Sequence, residues 1–155
     1  MAAITKIRAH VMTTNVAQAA SGAWVYLGIG GREFLLDIQG ADLTQGGDDE
    51  YFFGEDANVE NAEYNDPRTP PLSTEDVAAF PVYLRFESAG SAAGWCLEWV
   101  SVTANPGTHD AQRFVHPSLR EITEKNRIWL DNSYGKAVYL RPEDERTETP
   151  TPRAL

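Results

Sequence analysis

Three histidines, one cysteine and 23 acidic side chains are the groups in this chain of 155 residues with the most obvious chemistry. His10, His109 and His116 lie far apart, and no two have the spacing of zinc ligands, which must converge in threes or fours. His109 and Asp110 are adjacent and could form a local pair. Cys96 sits between Trp95 and Leu97. Without a nearby histidine or positive charge to stabilise a thiolate, it reads as a small buried hydrophobe. A lone cysteine also forbids an internal disulfide. Carboxylates abound, but nothing in their spacing singles out an acid–base pair. The chain holds no Gly-x-Ser-x-Gly elbow and no Walker loop. Gly28-x-Gly30-Gly31 lacks the strand-to-helix setting of a dinucleotide site. These residues lean away from catalysis.

The formal net charge of −10 narrows the partners. Nucleic acid requires lysine and arginine to neutralise phosphates, so it is a poor partner. Anionic lipid is disfavoured for the same reason unless a cation bridges the two surfaces. A basic protein surface or a neutral ligand is electrostatically easier. No apolar run is long enough to cross a bilayer. Residues 1–12 alternate polar and apolar side chains and lack a signal peptide's apolar stretch. A cytoplasmic protein is the simplest expectation.

The elements that must position these groups are mostly strands. Residues 4–13 place Ile7, Ala9 and Val11 on one side and Arg8, His10 and Met12 on the other, a period of two. Residues 23–29 and 32–38 alternate in the same way. Gly30-Gly31 between them predicts a two-residue hairpin. Residues 40–50 read as an acidic, turn-rich connection, followed by a short strand at Tyr51–Phe53. Residues 54–79 read as a long hydrated loop, with Tyr64, Leu72, Val77 and Phe80 as apolar anchors. Within it, Ser73 and Asp76 have the spacing of a helix cap.

Residues 80–87 alternate again. Residues 95–104 change phase: Trp95 and Leu97 share one face, whereas Val100 and Val102 share the other. A β-bulge near Glu98 would bring all four to the core; the alternative is that both faces of the strand are covered. Further strands are expected around Phe114, at Ile128–Leu130 and at Ala137–Leu140, with Trp95 and Trp129 in the core. Residues 1–142 form one predicted domain and residues 143–155, rich in charge, Thr and Pro, a disordered tail. Eight or nine short strands with turn signals between them argue for an all-β antiparallel sandwich of two sheets.

The string Gly94-Trp-Cys-Leu-Glu-Trp-Val-Ser-Val102, with Val82–Phe86 before it and Trp129-Leu130 after it, resembles the signature of PLAT/LH2 domains. The match runs from about Ile4 to Leu140 and includes Val25-Tyr26-Leu27 and Phe34–Asp37. The resemblance implies a two-sheet β-sandwich that binds lipid-like ligands or proteins. In some members, loop carboxylates bind calcium. Asp48, Asp49, Glu50 and Glu87 are the matching candidates for Ca²⁺, which takes several converging oxygen ligands. Gly22 and Ser88 replace acids or amides common in the family, which weakens that site. A solvated acidic rim is the alternative. Loop-end tryptophans in some lipid-binding members enter membranes, and Trp24 occupies such a place; the alternative is that Trp24 packs on a neighbouring loop.

The expected function is therefore a non-catalytic module that recognises a protein or a hydrophobic, lipid-like ligand through its loops or a sheet face. Trp24, Tyr64 and Trp99 are the candidate ligand-binding residues. The alternative is a small enzyme or ligand carrier, with an aromatic-lined pocket at one end of the sandwich covered by residues 54–79.

Overall fold

The computed structural model describes residues 1–88, 94–133 and 135–143. Strands β1 (Lys6–Thr13), β2 (Trp24–Ile29), β3 (Arg32–Leu35) and β4 (Asp48–Gly54) come first. A 3₁₀ turn, Ala62–Tyr64, and a short helix, α1 (Thr74–Ala79), follow. Then come β5 (Val82–Glu87), β6 (Trp95–Ala104), β7 (Gln112–Val115), β8 (Ile128–Leu130) and β9 (Ala137–Pro142). The spatial order is β3-β2-β5-β9-β7-β6-β1-β4, with β8 also paired to β6. The pairings between these strands are antiparallel.

Strand β9 makes one curled sheet into a sandwich. Its residues 137–140 pair with β5, and Arg141 and Pro142 then pair with β7. The inward residues of both layers form one core. Val25, Leu27, Phe34, Leu36, Leu84, Trp95 and Leu97 are all buried in it, as the alternations predict. Gly30 and Gly31 both have positive φ, the conformation that lets a two-residue turn follow the twist of its strands. The phase change in β6 is a bulge. Met12 pairs with Trp99 and Thr13 with Leu97, which leaves Glu98 as the extra residue.

Several boundaries and environments differ from expectation. Strand β3 stops at Leu35, and Ile38 makes only an isolated bridge to Val59. Strand β4 starts at Asp48, inside the stretch read as an acidic turn. Charged residues disfavour central strands, but β4 ends the sheet order, and exposed edges tolerate charge. Trp129 is the middle residue of three-residue β8 and points away from Leu130, so it is 42% exposed rather than in the core. Residues 144–155 of the expected tail lie outside the described residues.

Residues 55–79 do not stand apart as a hydrated insertion. Val59, Leu72 and Val77 are buried in the core. Ile4 N–H donates to the Leu72 carbonyl at 2.8 Å, and Thr74 N–H donates to the Ala2 carbonyl at 2.8 Å. The Arg32 guanidinium donates to the carbonyls of Pro70 and Asp66 at 2.8 and 3.0 Å. Leu35 N–H donates to Asn65 Oδ1 at 2.9 Å. Ser73 and Asp76 complete a capping box that starts α1.

Trp95 is fully buried, and its Nε1–H donates to the Thr13 hydroxyl at 2.9 Å. Trp95→Ala is expected to lower unfolding free energy by about 3–5 kcal/mol, because it leaves a large cavity. Urea denaturation checks this; an unchanged midpoint contradicts the packing.

Candidate functional site

The acidic residues proposed for calcium are separated by strand alternation. Asp48 and Glu50 project from the outer face of β4, where Asp48 meets His10 Nε2 at 2.6 Å and Glu50 pairs with Arg8. Asp49 points the other way and accepts from Leu43 N–H at 3.0 Å. Glu87 lies on β5, beside Trp24 on the neighbouring strand, and pairs with Arg85. The four do not converge. Among the described residues, no group of three or more His, Cys, Asp or Glu side chains stands close enough to hold a metal ion. His109 does lie near Asp110, at 3.4 Å.

Asp49 instead belongs to an acidic group around Asp42, with Asp37 and Asp48 nearby. Tyr51 donates its hydroxyl to Asp42 at 2.7 Å. Burial pushes the Asp42 carboxyl above its ordinary range, and nearby Asp37 and Asp49 add to the shift. Burial likewise raises Asp49, helped by Asp48. Tyr51's phenol is pushed up by burial and by Asp42.

The candidate aromatic residues do not share one surface. Trp99 is only 2% exposed, opposite Met12, so it is a packing residue. Tyr64 is 78% exposed on the 3₁₀ turn. Trp24 is 56% exposed on the outer face of β2, and Tyr139 on β9 is 61% exposed. Between them lies a layer whose polar groups are already engaged. Arg85 makes a two-point contact with Glu33, at 2.7 and 2.9 Å, and stacks 4.5 Å from the Tyr26 ring centre. These bonds hold the Glu33 carboxyl below its usual range. The Tyr83 ring lies over Gly28, where a Cβ would fall 2.1 Å from it, and its hydroxyl donates to Glu33 at 2.8 Å.

A groove of about 460 Å³ lies where α1, the start of β5, the start of β7 and the end of β9 meet. Val77, Phe80, Val82, Phe114 and Leu140 give it apolar walls. Gln112, Arg113 and Glu143 are its polar lining residues. Arg113 donates to Glu143 Oε1 at 2.7 Å, and Glu143 N–H donates back to the Arg113 carbonyl at 2.8 Å. Helix α1 exists because Ser73 and Asp76 cap it, and it turns Val77 and Ala78 to the groove. Phe80 ends the helix, is half exposed, and would come within 3.2 Å of a Cβ placed on Gly31. The sequence contains a signal for α1 and for Phe80 as an anchor. It contains none for the meeting of Arg113 and Glu143, 30 positions apart.

No family model matches the chain. No curated protein matches it in sequence. Solved structures do resemble it in shape. The alpha-toxin of Clostridium absonum matches with a TM-score of 0.56 and 18% identity over 90% of this chain. The alpha-toxin of an avian Clostridium perfringens strain matches with a TM-score of 0.56, 16% identity and 90% coverage. A lipoxygenase variant, Delta413-417:GS I805W LOX, matches with a TM-score of 0.50, 16% identity and 88% coverage. The chain spans 32% of each toxin and 16% of the lipoxygenase. At these identities the likeness concerns the fold, which is a PLAT-like β-sandwich.

The raised Asp42 carboxyl has a consequence for stability. Above its folded pKa the group is ionised at a cost; as pH falls through that pKa toward the unfolded value, the cost disappears. Asp42→Asn keeps an acceptor for Tyr51 without that charge. It is expected to raise the melting temperature at pH 7, with an advantage that shrinks toward pH 4. Thermal unfolding at both pH values checks this. A lower melting temperature at pH 7, or an advantage that grows toward pH 4, contradicts it.

Proposed function

We propose that this domain is a non-catalytic binding module for a hydrophobic, lipid-like ligand, and that the groove between α1, β5, β7 and β9 receives it. One observation carries the reading: a groove of about 460 Å³ lined by the apolar side chains of Val77, Phe80, Val82, Phe114 and Leu140 together with the polar residues Gln112, Arg113 and Glu143. That volume lies within the range of pockets that hold small molecules, roughly 300–1,000 Å³. Half of the lining residues, Val82, Gln112, Arg113, Phe114, Leu140 and Pro142, come from strands, which preform that part of the site, and α1 and Phe80 complete it. The flanking polar pair can orient a ligand, but nothing in it resembles a nucleophile beside its base.

A second reading, protein recognition, rests on Trp24 and Tyr139 on the outer sheet face. Exposed aromatic side chains are frequent anchors of protein interfaces. The Glu33–Arg85–Tyr83 network would hold that face rigid.

Nile red, a neutral dye that brightens in apolar surroundings, distinguishes the two surfaces. Ala78 is exposed at the groove, so Ala78→Trp obstructs it without cutting into the core. Dye affinity is expected to fall at least tenfold in Ala78→Trp and to stay within twofold in Trp24→Ala. The reverse pattern would move the hydrophobic site to the sheet face. Circular dichroism confirms that each variant is folded.

A further inference from the structure

We infer that the groove selects an uncharged single-chain amphiphile, whose head both donates and accepts hydrogen bonds, of the monoacylglycerol type. This rests on the reading that the groove binds a hydrophobic ligand, and it adds the chemistry of the head. Val77, Phe80, Val82, Phe114 and Leu140 offer a surface suited to an alkyl chain. Arg113 on β7 meets Glu143, which follows β9, so an amphipathic ligand can set its chain on the apolar walls and its head at this pair.

The charge of the head follows from the Arg113–Glu143 pair. The guanidinium and the carboxylate lie 2.7 Å apart, and their strands are joined at the same place by Glu143 N–H and the Arg113 carbonyl. The two charges cancel at the groove. An anionic head that approached Arg113 would also meet Glu143, on a protein of net charge −10. A cationic head would meet the opposite obstacle at Arg113. Either must compete with a partner already in place, and breaking a partly buried pair leaves one charge unmatched.

An uncharged head leaves the pair intact. Its carbonyl or hydroxyl oxygen can accept from a guanidinium N–H not directed at Glu143, because arginine carries five N–H donors in all. Its hydroxyl can donate to the carboxylate. Gln112 also lines the groove. Its Oε1 is buried and has no hydrogen-bond partner among the described residues. Unmatched buried acceptors are uncommon, and a ligand hydroxyl reaches this one only if the Gln112 side chain turns toward the groove. These features favour a glycerol or amide head over a fatty acid or an alkylammonium.

Calorimetric titration of the full chain with three probes of matched length tests the inference. The probes are monodecanoylglycerol, decanoate and decyltrimethylammonium, each below its aggregation concentration. Monodecanoylglycerol is expected to bind at least tenfold more tightly than either charged probe. Shortening its chain by one methylene should weaken it by about fourfold, the usual effect of removing a buried CH₂. Glu143→Gln leaves Arg113 unmatched, so decanoate should gain relative to monodecanoylglycerol. Arg113→Gln should shift the preference toward decyltrimethylammonium.

Equal or tighter binding of a charged probe by the unaltered protein overturns the head-group inference and leaves the hydrophobic groove standing. So does a head-group preference that neither substitution moves. Failure of all three probes to bind overturns the groove reading, and the inference falls with it.

Discussion

The passage of β9 from one layer of the sandwich to the other is the constraint on which the site depends. Its first four residues complete the β5 edge, and its last two pair with β7. A strand that serves both layers must carry its hydrogen bonds around a corner. Leu140 pairs with Val82 on one side of that corner, and Pro142 with Phe114 on the other. Pro142 has no N–H to give, so the ladder weakens there, as suits the end of a strand. The corner leaves a recess, and α1 packs beside it through Val77. Sheet closure and the groove are thus products of one backbone path.

Electrostatics limits what such a recess can hold. The chain has ten more acidic than basic residues, yet many of its positive groups have acidic partners. Arg8 meets Glu50, Arg68 meets Asp66, Arg85 meets Glu33 and Glu87, and Arg113 meets Glu143. Such surface pairs add little stability one by one. Their effect on recognition is larger, because a guanidinium already facing a carboxylate is a poor receptor for phosphate or a free carboxylate. The outer sheet face follows the same pattern: its arginine is held by two glutamates and a tyrosine ring. A neutral ligand meets none of these obstacles.

Features fixed by neighbouring residues were legible in the sequence. Two glycines in succession meant a tight hairpin, Ser73 with Asp76 meant a helix start, and the phase change around Glu98 meant a bulge. The alternation of apolar residues gave the core, and the tryptophan-rich β6 carried the likeness to a PLAT-like sandwich. Features fixed by distant partners were not legible. Asp48–Glu50 read as a turn because acids rarely start strands, and only the edge position of β4 explains their place. Trp129 read as core because its neighbours are apolar, whereas strand alternation turns it outward. The groove joins residues from near position 77 to position 143, and no local pattern spans that distance.

Residues 55–79 show how composition alone can mislead. Their acids, asparagines and prolines suggest a hydrated insertion. Three apolar side chains, spaced across the segment, instead anchor it in the core, and backbone bonds to residues 2 and 4 tie it to the N-terminus. The segment ends by building a wall of the groove. The most direct measurement of whether that groove binds ligand is a two-dimensional amide spectrum of the ¹⁵N-labelled protein, recorded during titration with monodecanoylglycerol. The amides of Val77, Phe80, Val82, Gln112, Phe114 and Leu140 should shift in concert and saturate, while Trp24 and Tyr26 stay still. Saturating shifts confined to Trp24, Tyr26 and Tyr139, with the groove silent, would contradict the assignment of the site.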